Sequence, residues 1–354
     1  MKLKIILVAA IVTLTNCKNQ FTPLYVGTYT SGKSEGIYKF DFDTKTGELS
    51  NLQLVAKTKN PSFIAYAPTK KFIYAVGEDE KGTVSSFKVE ENGQLTFVNR
   101  VKSFGGAPCH ISVNETGTKA VASNYVGGNI SLYTINNNGT LNEASQVFNH
   151  NIPEQKSHAH SAKFINNALF VADLGRNAMY QYEKESDNNY QLKDSSIVKM
   201  TENAGPRHFT LTKDGKFIYV INEYASTVTA SKKVGNTFEL INHYSTLSKD
   251  YQAKNSCADI HLSHDERFIY GSNRGENTIA VFKRNLETGT LEKIQNMSVH
   301  GDWPRNFTLD PTGKFLLVAN QKSNDISVFN IDFKTGKLSF FKTFKAETPV
   351  CLLF

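Results

Sequence analysis

The sequence has little of what would mark a nucleic-acid binder, a disulfide scaffold or a helical protein. Its formal net charge of +7 is not gathered into any dense Lys/Arg tract, whereas nucleic-acid binding calls for a clustered basic stripe. A diffuse positive field of this size suits small anionic substrates or anionic surfaces instead. Of the four cysteines, Cys17 belongs to the amino-terminal segment and Cys109, Cys257 and Cys351 are widely spaced. An odd set with no CxxC pair gives neither a disulfide framework nor a cysteine metal site, and buried apolar thiols are expected. No segment carries a long apolar period of 3.6 residues, so helices should be nearly absent. There is one tryptophan, Trp303, too little for the aromatic mouth of a protein-binding scaffold, although Tyr29, Tyr125 and Tyr224 keep that reading open.

Residues 1–17 stand apart from the rest. Lys2 and Lys4 form a short basic start, residues 5–14 are almost wholly apolar, and Cys17 follows directly after Leu14-Thr15-Asn16. This is a signal-peptide design, too short to remain as a spanning anchor. Cys17 resembles the lipid-attachment cysteine of bacterial lipoproteins; the alternative is a cleaved signal that releases a soluble protein. Either way an exported protein is expected, periplasmic or membrane-anchored, touching the membrane only through a lipid on Cys17. Residues 18–22 read as a short linker, and residues 23–354 as one domain.

One phrase then recurs along the chain: a short strand, a polar turn, and a second apolar strand. Phe209-Thr210-Leu211 turns through Thr212-Lys213-Asp214-Gly215 into Phe217-Ile218-Tyr219-Val220, and Phe307-Thr308-Leu309 through Asp310-Pro311-Thr312-Gly313 into Phe315-Leu316-Leu317-Val318. A third strand such as Asp325-Ile326-Ser327-Val328-Phe329 follows, then a fourth after a Gly-x-Leu turn at Gly47, Gly93, Gly139, Gly289 and Gly336. Four short strands in about 45 to 50 residues form a propeller blade. Six complete copies leave an amino-terminal piece without a first strand and a carboxy-terminal hexapeptide, residues 349–354, without partners. Joined, they make a seventh blade and close the ring, which removes exposed sheet edges. The expected fold is therefore all-β: a seven-bladed β-propeller of four-stranded antiparallel blades.

In such a blade the residues opening strand one and those ending strand two gather around one mouth of the central channel. The openers are Ser62, His110, His160, Arg207 with His208, Asp259, and Arg305 with Asn306; the ends are Thr28, Glu78, Asn124, Asp173, Glu223, Asn273 with Arg274, and Asn320. Asn124, Asp173 and Asn320 fit turn caps, and His261 and His264 lie away from the mouth and read as structural. His160 stands out in His158-Ala159-His160-Ser161, with alternate histidines on one strand face.

Tyr25-Val26-Gly27-Thr28-Tyr29-Thr30, Ala107-Pro108-Cys109-His110, Gly205-Pro206-Arg207-His208, Ala258-Asp259-Ile260-His261 and Trp303-Pro304-Arg305-Asn306-Phe307 resemble the phrases of propeller-type lactonases. That family includes 6-phosphogluconolactonase and is similar to the fungal carboxymuconate cyclases. The resemblance implies hydrolysis of a small anionic sugar lactone without a cofactor or metal. It places a catalytic set on His160, Arg207, Glu223 and Arg274, with His160 as base, the arginines facing an oxyanion or carboxylate, and Glu223 orienting the histidine or returning the proton. His110, His208, Asp259 and Arg305 are expected to bind substrate, Arg305 an anion such as phosphate. An export signal is unlike the cytosolic lactonases and argues against a phosphorylated substrate. A cycloisomerase and a non-catalytic binding propeller are the competing readings. The chain is expected to be a monomer.

Overall fold

Each sequence repeat folds into one four-stranded antiparallel blade. A computed structural model describes residues 20–186 and 189–354; the basic start, the apolar run and Cys17 lie outside the described residues. The chain opens with β1 (Phe21–Thr28), β2 (Gly36–Asp43) and β3 (Leu49–Lys57). Complete blades follow as β4 to β7 (Ile64–Tyr66, Phe72–Gly77, Thr83–Val89, Leu95–Lys102) and β8 to β11 (Pro108–Val113, Lys119–Asn124, Asn129–Thr134, Gln146–Asn149). Next come β12 to β15 (Ala159–Ile165, Ala168–Asp173, Ala178–Ser186, Asn189–Asp194) and β16 to β19 (Pro206–Leu211, Phe217–Asn222, Thr227–Val234, Thr237–Ser245). The last two are β20 to β23 (Ser256–Leu262, Phe268–Arg274, Thr278–Arg284, Leu291–Ser298) and β24 to β27 (Pro304–Leu309, Phe315–Asn320, Asp325–Ile331, Leu338–Lys345), before β28 (Pro349–Leu353). Seven sheets result, and the described residues contain no helix.

Burial follows position in the blade. Every residue of β17 and of β25 is buried, whereas in β27 only Leu338 is buried and the rest are exposed or half-buried. Blades stack face to face, so a second strand is covered on both sides and reads as a continuous apolar run; the rim strand meets water on one side.

The repeated Phe-x-Tyr and Gly-x-Leu phrases turn out to be two halves of one contact between blades. The hydroxyls of Tyr74, Tyr219 and Tyr270 donate to the carbonyls of Gly139, Gly289 and Gly336 in the following blade, at 3.2, 3.0 and 3.0 Å. Phe72, Phe217 and Phe268 fill the space where a Cβ on those glycines would stand, 2.3 Å from the nearest ring carbon in each case. Each glycine is also left-handed, with φ between 71° and 82°, so both conformation and contact require it. A buried tyrosine needs a partner for its hydroxyl, and the turn of the next blade supplies it.

The ring closes as the split phrase implies. β28 lies against β1 with Tyr25 opposite Leu353, Val26 opposite Leu352 and Gly27 opposite Cys351. Val350, Cys351 and Leu352 are buried, and the Leu352 amide donates to Asn306 Oδ1 at 2.7 Å, tying the closing strand to the neighbouring blade. Deleting residues 349–354 should lower unfolding free energy by several kcal/mol, since burying each large apolar side chain is worth about 1.5–3 kcal/mol. Denaturant unfolding of the truncated chain checks this; an unchanged midpoint would show that closure carries no stability.

Candidate active site

The openers of the innermost strands reach the ring axis because those strands share one irregularity. Pairing of β8 with β9 jumps from Pro108 opposite Asn124 to His110 opposite Ser123, which leaves Cys109 as an extra residue. The same jump frees His160 in β12, Arg207 in β16 and Arg305 in β24, and β20 shifts register across Ala258 and Asp259. A β-bulge inserts one residue and re-aims its side chain. The bulges at Cys109, Arg207 and Arg305 each follow a proline, and the residue before it is left-handed: Ala107 at φ 51°, Gly205 at 69° and Trp303 at 67°. For a bulky aromatic such as Trp303 that conformation is strained.

Around one mouth, Glu223 sits between two arginines. Its Oε2 is 3.0 Å from Arg207 Nε and 2.8 Å from an Arg274 terminal nitrogen. The Arg207 contact is a charge contact off the N–H direction, so Nε–H has no aligned protein acceptor. Arg207 also donates to the Ala258 carbonyl, and Arg274 to those of Ser256 and Cys257, while its guanidinium lies 5.3 Å from the centre of the Trp303 ring. Beside this cluster Arg305 stands 3.9 Å from Glu78 and 5.3 Å from the Tyr29 ring, and the Tyr29 hydroxyl donates to Glu78 at 2.9 Å. Three arginines against two glutamates leave the mouth positive, ready to receive an anion.

His160 lies at the edge of this cluster, and its Nδ1 is buried without a protein partner. Burial and then the Arg207 charge hold its pKa well below the usual imidazole range, so it is neutral. The polar mouth is therefore buried rather than solvated: Arg207 is 2 % exposed, His160 and Arg274 4 % each. Burial also lowers the pKa of Arg274, to about 10, and depresses Arg207. Around Arg305 burial acts the same way, but Tyr29 and Glu78 outweigh it and raise the pKa. The Cys109 thiol is buried, pushed up by desolvation and directed at the His160 carbonyl, which makes it an inert structural thiol.

The other expected substrate residues are placed differently. His110, His208 and Asp259 line a cavity of about 540 Å³ on the channel together with Lys163, His261 and Asn306, and none of the mouth residues His160, Arg207, Glu223, Arg274 or Arg305 lines it. His208 stands between the two groups, its ring 5.2 Å from that of His160 and 5.5 Å from that of His110. Asp259 is the hub: Oδ1 takes His208 Nδ1 at 2.7 Å, while Oδ2 takes His261 Nε2 at 3.0 Å and Asn306 Nδ2 at 2.6 Å. His261, which reads as structural in sequence, belongs to this network; its position two residues beyond Asp259, on the same strand face, was the signal for it. Asp173 caps its turn, accepting the Arg176 amide as well as that of His158, whereas Asn124 donates to the distant Ser103 carbonyl and Asn320 to the Asp325 carboxylate. Among the described residues no three His, Cys, Asp or Glu side chains are grouped to hold a metal ion.

The chain is thus a closed ring of seven blades with a buried cluster of arginine, glutamate and histidine at one mouth. The family described as lactonase, 7-bladed beta-propeller matches residues 23–354, and the chain belongs to it. It is 35% identical over 332 residues to the 6-phosphogluconolactonase of Formosa agariphila, covering 89% of this chain and 94% of that protein. It is 32% identical to the 6-phosphogluconolactonase of Bacillus subtilis, over 93% and 97% of the two chains. The solved structure of the Pseudomonas aeruginosa periplasmic gluconolactonase superposes with a TM-score of 0.86 at 28% identity, covering 94% and 98%.

The buried histidines make stability depend on acid. Burial lowers the His208 pKa to about 4 against the opposing pull of Asp259, and holds His110 and His160 well below the ordinary value. The unfolded chain therefore binds these protons from about pH 6.5 downward while the folded one does not, so stability falls as pH drops through that window. His208 alone contributes roughly 3 kcal/mol by pH 4. Asp259, held well below the carboxylate range despite burial by its two histidines, adds a loss only below about pH 4. Denaturant unfolding at pH 7.5 and 4.5 should show the decrease, and His208→Asn should flatten it; equal slopes would contradict a buried neutral His208.

Proposed function

We propose that this protein hydrolyses a sugar lactone of the gluconolactone type, with the chemistry at the Glu223 mouth. The observation that carries the reading is Arg207, its Nε–H lacking an aligned acceptor, beside a neutral His160 in a chain of the lactonase family. Neutral imidazole takes a proton from water as water attacks the lactone carbonyl. Arg207 stabilises the developing oxyanion and Arg274 holds the carboxylate product, both by fixed charge in a low-dielectric site. Glu223 fixes the two guanidinium groups against each other. An anionic substrate offsets the arginine charges that depress His160, raising its proton affinity when the base is needed.

His160→Ala and Arg207→Lys should each cut turnover roughly 10²- to 10³-fold. Since Arg207 is buried and opposes Glu223, Arg207→Ala should also destabilise the fold, and the lysine variant keeps a charge in place. Arg305→Ala should mainly raise KM, more for a phosphorylated lactone than for its free counterpart. Acid release from a panel of free and phosphorylated sugar lactones reads all of these. Unchanged turnover in both His160→Ala and Arg207→Lys would remove this mechanism, and no turnover of any lactone by the wild type would favour a binding propeller. The reaction is read as independent of metal, so activity should survive chelator.

We further read residues 1–17 as an export leader and Cys17 as its lipidated cysteine, with the propeller acting as an exported monomer. The supporting observations are the basic start, the apolar run and the cysteine that ends it. Labelled fatty acid should enter the wild type but not Cys17→Ser.

A further inference from the structure

Two tyrosines at the rim of the mouth take no part in the mechanism above. Tyr125 directly follows the last residue of β9, and Tyr224 stands two residues beyond the end of β17. The blade that carries His160 in β12 lies between theirs, so the two phenols approach His160 from either side. Tyr125 is fixed by the other histidine of the alternating pair. Its ring stacks on that of His158, with centres 4.4 Å and planes 16° apart, and its carbonyl accepts from His158 Nδ1 at 2.9 Å. The same ring stands edge-on to His160 with centres 5.9 Å apart. On the other side, the Tyr224 ring fills the space where a Cβ on Gly205 would stand, with a ring carbon 2.7 Å from that point. Tyr224 remains 52 % exposed, unusual for a large ring held this firmly.

The hydroxyls of the pair act on each other, and both lie in the field of Glu223. Burial and that carboxylate raise both pKa values, so the phenols stay protonated. A hydroxyl carries one O–H and two lone pairs. One contact between two of them therefore leaves a second O–H and most of the lone pairs for a ligand. Tyr29 differs, since its O–H is already given to Glu78. The rest of the mouth is built of full charges, Arg207, Arg274 and Arg305 against Glu223 and Glu78, which recognise an anion. The tyrosine pair is neutral and both donates and accepts, which is the complement of an alcohol.

We propose that Tyr125 and Tyr224 clasp the ring hydroxyls of the substrate on either side of His160, so that the site selects a polyhydroxylated lactone over a plain one. The lactone carbonyl meets His160 and Arg207, as any lactone would, and the clasp reads the part of the ring that does not react. Held rigidly by His158 and Gly205, the two phenols lose little freedom when the substrate arrives, so their hydrogen bonds go into affinity.

The proposal rests on the lactonase reading, and its test separates the two. Wild-type hydrolysis of glucono-δ-lactone and of δ-valerolactone, the same six-membered ring without hydroxyl groups, is measured first above the spontaneous rate. Turnover of neither refutes the lactonase reading and the clasp together. Tyr125→Phe and Tyr224→Phe keep the rings and their packing, and melting curves check that both fold. Each should raise KM for glucono-δ-lactone about 3- to 10-fold with kcat nearly unchanged, the loss of a neutral hydrogen bond made equally before and during reaction. Neither should change KM for δ-valerolactone. A sugar-lactone KM that stays put in either variant, or a KM that rises equally for both lactones, overturns the clasp and leaves the lactonase reading intact. So does a loss of kcat on both lactones, which would make the pair a support for His160 rather than a reader of hydroxyl groups.

Discussion

The hydrogen bonds between Pro349–Leu353 and the end of Phe21–Thr28 hold the two ends of the chain in one sheet. Everything at the axis depends on that closure. A closed ring fixes each inner strand between two neighbours, so its opening residue has one place to go, and the ring diameter sets how near the openers approach one another. The tyrosine-to-glycine contacts between blades repeat the same constraint around the rim, which is why the phrases that carry them recur so regularly.

Within that frame the bulges do the positioning. A regular strand would alternate its side chains between the two neighbouring blades; the inserted residue turns one of them toward the axis. His160, Arg207 and Arg305 all occupy such a position. Arg207 and Arg274 then bury their charge against a single carboxylate, Glu223. Removing one member of a buried ionic group strands the others, so the cluster is held by its own desolvation cost as much as by attraction. Such a site is preorganised, and its donors are already oriented when a substrate anion arrives.

The channel divides into two electrostatic regions. On the mouth side, burial first and the guanidinium charges second keep His160 neutral. On the other side, Asp259 gathers two histidines and an asparagine around one carboxylate. His208 touches both, and burial decides its protonation against the pull of Asp259. The strained Trp303 joins the outer region through Arg274, in keeping with backbone strain gathering where orientation matters.

The repeat by itself determined the architecture, because blades are local units whose turn residues and apolar runs are readable one at a time. Seven blades, the split seventh and the Asp173 turn all follow from short-range chemistry. The rule that strand ends gather at a mouth also picked out His160, Arg207, Glu223, Arg274 and Arg305 together. What sequence left undecided was depth. His110, His208 and Asp259 looked equivalent to the mouth residues, yet they line the opposite cavity, and His261, set aside as structural, shares their network. A bulge changes which side chain faces the axis without changing composition or period, and its trace, a left-handed residue before a proline, is visible only once the backbone is known. Burial is likewise collective: only packed blades take the arginines and histidines out of water, and that desolvation sets their charges.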